Sequence, residues 1–291
     1  MYKRQAWVYI NEARRWGATI NLPCVNHSNY KTRILGKDIY LGFIHISDLE
    51  QDVGQQIEAD RKENGEYSDL DSFVSRIRIG IQQIILLIRA GTFRFIGKTK
   101  SVLLWEAHML LGKKDSKELQ DSLFILPRKK FTLPDLEHNR LEDAYDEIEL
   151  FGFPITSSYF DLLVTPFRGQ IKARDLSAHV GEKVRMVGQL VVIKYVRTTK
   201  REWMHFAAFL DDTGEFFDTV HFPPSLKLYP FKGYGCYLIL GKVVQEFGFA
   251  SLEVEKMAKL PVRNVDDKRA LPELKVHQAG DGYLNLSGFQ P

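Results

Sequence analysis

Leu87-Ile88-Arg89-Ala90-Gly91-Thr92-Phe93-Arg94-Phe95-Ile96-Gly97-Lys98-Thr99-Lys100, continued by Val102, Leu103 and Leu104, decides the reading of the first half of this chain. Apolar residues recur at three- and four-residue spacing from Ile81 to Arg89, stop at Gly91 and Gly97, and resume after Lys98. The pattern predicts a helix, a glycine-bearing hairpin and a second helix starting near Lys98. Amide hydrogens at a helix start after a glycine point outward and can cradle a phosphate. Arg94, Gly97, Lys98, Thr99 and Lys100 form the candidate set, which would grip a nucleic-acid backbone without reading bases. An ordinary helical hairpin with solvated lysines is the competing reading.

Moving outward, Ala6 to Trp16 and Asp52 to Asn64 carry the same helical spacing and are broken by Gly17 and Gly65. The segment Leu41 to Glu50, followed by Val53 to Ile57, has similar framing but no glycine at its turn. Asp48 and Glu50 there would repel a phosphate, so this copy reads as structural. From Lys183 the period changes to two, with Val184, Met186 and Leu190 on one side of a strand and Val187, Val191 and Ile193 on the other. Further strand-like runs are Trp203–Leu210, 216–222, 236–245 and 250–257, separated by Asp211-Asp212-Thr213-Gly214, Pro223-Pro224 and Phe247-Gly248. Five strands in so short a span predict a small barrel or sandwich. Its hairpin clusters Lys194, Arg197, Lys200 and Arg201 with Tyr195 and Trp203. Cations that follow phosphates beside rings that stack on bases suit single-stranded DNA. The same composition also describes an exposed hairpin whose Trp203 covers a barrel end.

Charge separates the segments. The chain has 40 basic and 37 acidic residues in 291, a net +3, which excludes a strongly basic nucleic-acid tail and an acidic disordered chain. Residues 1–112 and 161–262 are each net +3, and 113–160 is net −3. Within that acidic connector, Gln120-Asp121-Ser122-Leu123-Phe124 suits an extended peptide entering an apolar groove: Gln120 bonds backbone at the rim, and Leu123 and Phe124 fill the pocket. The alternative places Leu123 and Phe124 in a local core. Cys24 and Cys236 are far apart and show no metal or disulfide spacing. No apolar run approaches the length of a membrane span, and no signal region is evident, so a cytoplasmic protein without membrane attachment is expected. No catalytic histidine motif and no glycine-rich nucleotide loop occurs. The adjacent pair Asp211-Asp212 reads as a turn.

In order along the chain, these pieces resemble the C-terminal portion of the bacterial DNA polymerase III alpha subunit, a DNA-directed DNA polymerase. Tyr9 to Gly17 and Pro23 to Ser28 are similar to the end of that family's fingers. Leu41 to Ile57, Arg61, Asn64-Gly65, Tyr67, Leu70, Phe73 and Arg76, and then Leu87 to Phe93 with Gly97 and Leu103-Leu104, resemble its helix–hairpin–helix segment. Glu149-Leu150-Phe151-Gly152-Phe153 resembles the lead-in to its OB barrel. Thr198-Thr199-Lys200, Met204, Asp211 to Gly214 and Val220 to Pro223 resemble the barrel itself.

The resemblance implies an α+β multidomain chain, an N-terminal all-α helix–hairpin–helix module followed by a C-terminal all-β OB-type barrel. Its expected parts are an end-of-fingers region (1–40), the helix–hairpin–helix module (41–112), the acidic connector with a clamp-binding peptide (113–160), the barrel (161–262) and a tail (263–291). The implied partners are duplex DNA, single-stranded template and the beta sliding clamp, the last held by Gln120, Ser122, Leu123 and Phe124. Family members carry a lysine–glycine–aliphatic–glycine turn where this chain has Ser47-Asp48-Leu49-Glu50. The family's Mg2+-binding aspartates lie in a palm upstream of everything matched here, so no cofactor and no catalytic residue is expected in this chain, and no polymerisation by it alone. A fragment, one half of a split enzyme with the palm on a separate polypeptide, and a degenerate paralogue all fit. So do two other classes of protein: a stand-alone single-strand-binding accessory factor and a protein–protein adaptor.

Overall fold

Buried apolar side chains at helical spacing organise the first part of the molecule. The computed structural model describes residues 2–112 and 140–264, and these divide between Ser157 and Ser158 into two compact units. The peptide Gln120 to Phe124 and the tail beyond 264 lie outside the described residues.

In the first unit, α1 (Tyr2–Arg15) leads into three short strands, β1 (Thr19–Asn21), β2 (Arg33–Leu35) and β3 (Asp38–Tyr40). They form a sheet in the order β1-β3-β2, with β1 parallel to β3. Runs of three residues carry too little alternation to be read from sequence. A 3-10 turn (Phe43–His45) precedes α2 (Gln51–Asn64), α3 (Leu70–Arg76) and α4 (Ile81–Arg89). A second 3-10 turn (Arg94–Ile96) precedes α5 (Lys100–Leu111), and α6 (Arg140–Phe151) follows. Each helix turns one apolar stripe inward: Val53 and Ile57 of α2, Leu70 and Phe73 of α3, Ile84, Leu87 and Ile88 of α4, and Leu103 and Ala107 of α5 are all buried. Phe93, from the loop between α4 and α5, is fully buried and meets Phe73 edge-on at 4.9 Å. Phe73 in turn meets Tyr67 at 5.0 Å. The hairpin is therefore pinned to the core by its own aromatic residue.

The second unit opens with a 3-10 helix (Ala173–His179) and continues as β4 (Lys183–Arg197), β5 (Trp203–Leu210), β6 (Phe216–His221), α7 (Pro223–Leu228), β7 (Cys236–Glu246) and β8 (Phe249–Lys259). The strands close into a barrel in the order β4-β5-β6-β8-β7. All neighbours are antiparallel except β6 and β8. Five strands closed in this order, with a helix between the third and fourth, make the OB arrangement. Met186, Leu190, Phe209, Phe217, Tyr237, Ile239 and Leu252 fill the interior. A Cβ on Gly188 would stand 2.6 Å from the Phe217 ring and 2.8 Å from Phe209 Cβ, so only glycine lets those rings fill the barrel there. The sequence periodicity placed Ile193 on the face opposite Leu190. A bulge between Leu190 and Val192 resets the alternation, and Ile193 packs against the barrel core. Pro223 and Pro224, read as a turn, occupy the first turn of α7, where a missing amide hydrogen costs nothing.

Truncating the hairpin's anchor tests this account of the first unit. Phe93→Ala should lower stability by about 3–5 kcal/mol, the usual cost of emptying a buried phenylalanine site, measured by urea denaturation. A loss below about 1 kcal/mol would mean that the hairpin is held by other contacts.

Candidate nucleic-acid interface

The turn between α4 and α5 is shaped by local backbone chemistry. Thr92 is buried, its hydroxyl donates to the Leu87 carbonyl (3.0 Å), and its own carbonyl accepts from the Val25 amide (3.2 Å). After Phe93 enters the core, Gly97 takes a left-handed conformation (φ 73°, ψ 13°) with open space on its Cβ side. That conformation favours glycine and turns the chain into α5. Thr99 caps α5, its hydroxyl oxygen accepting from the Val102 amide at 3.4 Å. The amides of Lys98, Thr99, Lys100 and Ser101 have no acceptor among the described residues. A half-exposed helix start with free N–H groups and a preceding glycine is a ready anion seat.

The side chains predicted to assist that seat have separate fates. Arg94 turns its guanidinium inward, donating to the carbonyls of Gly91 (2.8 Å) and Leu22 (3.4 Å). Desolvation by burial lowers its pKa from the ordinary arginine value, although the residue as a whole reaches the surface. It braces the turn. Lys100 pairs with Asp143 (2.7 Å) and Asp146 (3.0 Å) of α6. Among the described residues Lys98 pairs only with Glu106 of α5, at 2.5 Å. An exposed pair of this kind is weak and exchangeable, so Lys98 is the cation available beside the free amides.

In the first hairpin the Ser47 amide donates to the Leu150 carbonyl (2.9 Å) and the Glu50 amide to Gln83 Oε1 (2.8 Å), while Gln83 Nε2 donates to the Asp48 carbonyl (3.2 Å). Asp48 holds the left-handed position (φ 61°) that glycine fills in the second hairpin. Protein groups thus occupy this turn.

On the barrel, Arg197 faces Trp203 across the β4–β5 ladder, its guanidinium 4.7 Å from the indole centroid. Lys200 and Arg201 sit exposed in the connecting turn, with Arg201 at φ 60°. Lys194 is paired with Phe206, three residues from Arg197, and so lies on the opposite face of the ribbon. The sequence reading did not single out Phe206 and Phe222, both partly exposed, or Phe247 and Phe249 at the β7–β8 turn, which are 99% and 80% exposed. Period-two alternation along β5 could have indicated Phe206. Phe247 was hidden because Phe247-Gly248 reads simply as a turn.

Residues 17–103 match the helix-hairpin-helix motif family. Over 225 residues the chain is 28% identical to the DNA polymerase III subunit alpha of Staphylococcus aureus (strain MRSA252), covering 76% of this chain and 21% of that protein. The chain resembles the C-terminal portion of a DNA polymerase III alpha subunit. It spans about a fifth of the length of such an alpha subunit. It is also 29% identical over 100 residues to the error-prone DNA polymerase of Mycolicibacterium paratuberculosis (strain ATCC BAA-968 / K-10), covering 34% of this chain and 9% of that enzyme. The crystal structure of the wild-type single-stranded DNA binding protein from Thermus aquaticus aligns with 28% of this chain and 41% of its own, at 14% identity and a TM-score of 0.26. The assignment of the barrel rests on the strand order given above.

Among the described residues no group of three or more His, Cys, Asp or Glu is placed to hold a metal ion. Asp211 accepts from the amides of Thr213, Glu215 and Ala173, and Asp212 pairs with Lys172 at 2.5 Å. No described helix is long and apolar enough to cross a membrane.

Beneath the β5–β6 surface, His221 is buried; its Nε2–H donates to Thr219 Oγ1 (2.8 Å), whose hydroxyl donates to the Ala207 carbonyl (3.0 Å). Burial, and then the neighbouring His205, pushes its pKa down to about 3. Above an unfolded value of about 6.5 His221 is neutral in both states and adds no pH dependence. Below it the unfolded chain binds a proton that the folded barrel refuses, so stability falls by about 1.4 kcal/mol per pH unit until the folded pKa is reached. Between pH 7.5 and pH 5, His221→Gln should therefore lose about 2 kcal/mol less stability than the parent protein in denaturant titrations. Equal losses would show that His221 is not the group responsible.

Proposed function

We propose that this chain is the DNA-holding and clamp-tethered part of a replicative DNA polymerase alpha subunit. The N-terminus of α5 seats a phosphate of the duplex backbone. The β4–β5 hairpin contacts single-stranded template through Arg197, Lys200, Arg201 and Trp203, with Lys194 on the reverse face. Gln120, Ser122, Leu123 and Phe124 bind the sliding clamp. The observation that carries this reading is the run of unpartnered amides from Lys98 to Ser101 behind the exposed Gly97. The 28% identity to alpha subunits across 76% of the chain supports it. Phosphoryl transfer, in this reading, belongs to a carboxylate-bearing palm elsewhere in the enzyme.

Backbone contact of this kind is independent of sequence and sensitive to salt. Lys98→Glu should weaken binding to a random-sequence duplex by about tenfold and flatten the plot of log affinity against log salt by about one unit, with thermal stability unchanged. Lys100→Ala should instead cost about 1–2 kcal/mol of stability, because it strands Asp143 and Asp146. Duplex affinity unaffected by Lys98→Glu would exclude the α5 terminus as the seat.

The clamp contact has a separate test. Leu123→Ala combined with Phe124→Ala should reduce affinity for the purified sliding clamp by at least tenfold, as expected when two apolar anchors leave a pocket, and should leave duplex binding as it was. Unchanged clamp affinity would rule out this peptide as the anchor.

A further inference from the structure

The barrel carries a cleft of about 660 Å3 between the β4–β5 hairpin and α7, lined by Tyr195, Trp203 and His205 on one side and by Pro223, Leu226 and Lys227 on the other. Its volume lies in the range of sites that enclose a small flat molecule. Trp203 is 52% exposed, and the Arg197 guanidinium lies over its ring at 4.7 Å. Tyr195 is 61% exposed and sits edge-on to His205 at 4.6 Å. His205 lines the cleft, and its Nδ1 is buried without a partner. Burial lowers the pKa of this ring, which favours its neutral form.

The hairpin edge is cationic. Lys227 of the lining stands 3.9 Å from Glu202, Arg197 lies over Trp203, and Lys200 and Arg201 are exposed in the turn of the same hairpin. An apolar, aromatic cleft with cations at its hairpin edge matches a nucleobase with its flanking phosphates. We infer that this cleft takes one unstacked base of a single strand, which lies against Trp203 and has α7 as its far wall. The inference rests on the single-strand reading of the barrel given above, and adds to it that a base enters a pocket formed partly by α7 instead of stacking on an open hairpin.

The test uses the full chain and two ligands of about 15 nucleotides, at the upper end of a barrel's site size. One is an oligothymidylate and the other an abasic strand that keeps every phosphate. The parent protein should bind the oligothymidylate about tenfold more tightly than the abasic strand, the usual worth of one stacked base. Trp203→Ala and Leu226→Glu should each abolish that difference while leaving affinity for the abasic strand unchanged, and Trp203→Phe should restore most of it. Lys200→Ala with Arg201→Ala should weaken both ligands alike. Three outcomes overturn the cleft assignment and leave single-strand binding standing. One is a parent protein that binds both strands equally, which gives the cleft to an apolar protein side chain. Another is Leu226→Glu without effect, and the third is Trp203→Ala weakening both strands equally. Failure of the parent protein to bind either strand would overturn the single-strand reading itself.

Discussion

The carboxylate of Asp146 joins three helices. It accepts from Arg89 at the end of α4 (2.8 Å) and pairs with Lys100 at the start of α5 (3.0 Å). These two cations bracket the ten-residue turn that carries Gly97, so one acidic side chain on α6 fixes both ends of the candidate phosphate seat. Glu149 adds a second contact to Arg89 and Asp143 a second to Lys100. Asp146 is only 17% exposed. Pairs sheltered to this degree are screened less by salt than surface pairs, and removing one partner leaves a poorly solvated charge behind. The hairpin's geometry should therefore depend less on salt than a contact between its surface and a phosphate would.

The same network changes the meaning of the charge distribution. Counting by segment made 113–160 an acidic connector flanked by basic blocks. Asp143, Asp146 and Glu149 of α6 are turned onto the end of α4 and the start of α5, where they neutralise Arg89 and Lys100. What remains exposed beside the seat is Lys98, in a loose pair with Glu106. Composition could locate a basic hairpin because lysine and glycine are visible in a string of letters. It could not show which lysine was already occupied, because that depends on a helix forty residues further along the chain.

Other features divide in a similar way. The barrel was legible because strands that are buried on one face alternate with period two, and Trp203–Leu210 stands where the alternation placed it. The bulge after Leu190 was not legible, since one inserted residue leaves no compositional trace, yet it brings Ile193 to the interior. The first hairpin could be read as structural because Asp48 and Glu50 stand at its turn. Its actual closure by Gln83 and by the Leu150 carbonyl is a long-range event invisible to local pattern. The cleft beside α7 escaped for the same reason: Leu226 and Trp203 line one cleft only after the sheet has closed.

A net charge of +3 gives this protein little long-range attraction for DNA, and the two surfaces described above are each small. Two weak sites on one chain need not bind weakly together. Were both to bind nucleic acid, engagement of one would raise the effective concentration of the other. A clamp encircling the duplex would raise that concentration further without any new contact to DNA. Under the proposed function, strong individual sites would work against a translocating enzyme, because every step would require each phosphate contact to be broken and remade, whereas modest contacts exchanged one at a time under a tether would allow movement without dissociation. In that case the internal neutralisation of Arg89 and Lys100 by α6 would have a kinetic value as well as a structural one, since it would keep two more cations from holding the backbone in place.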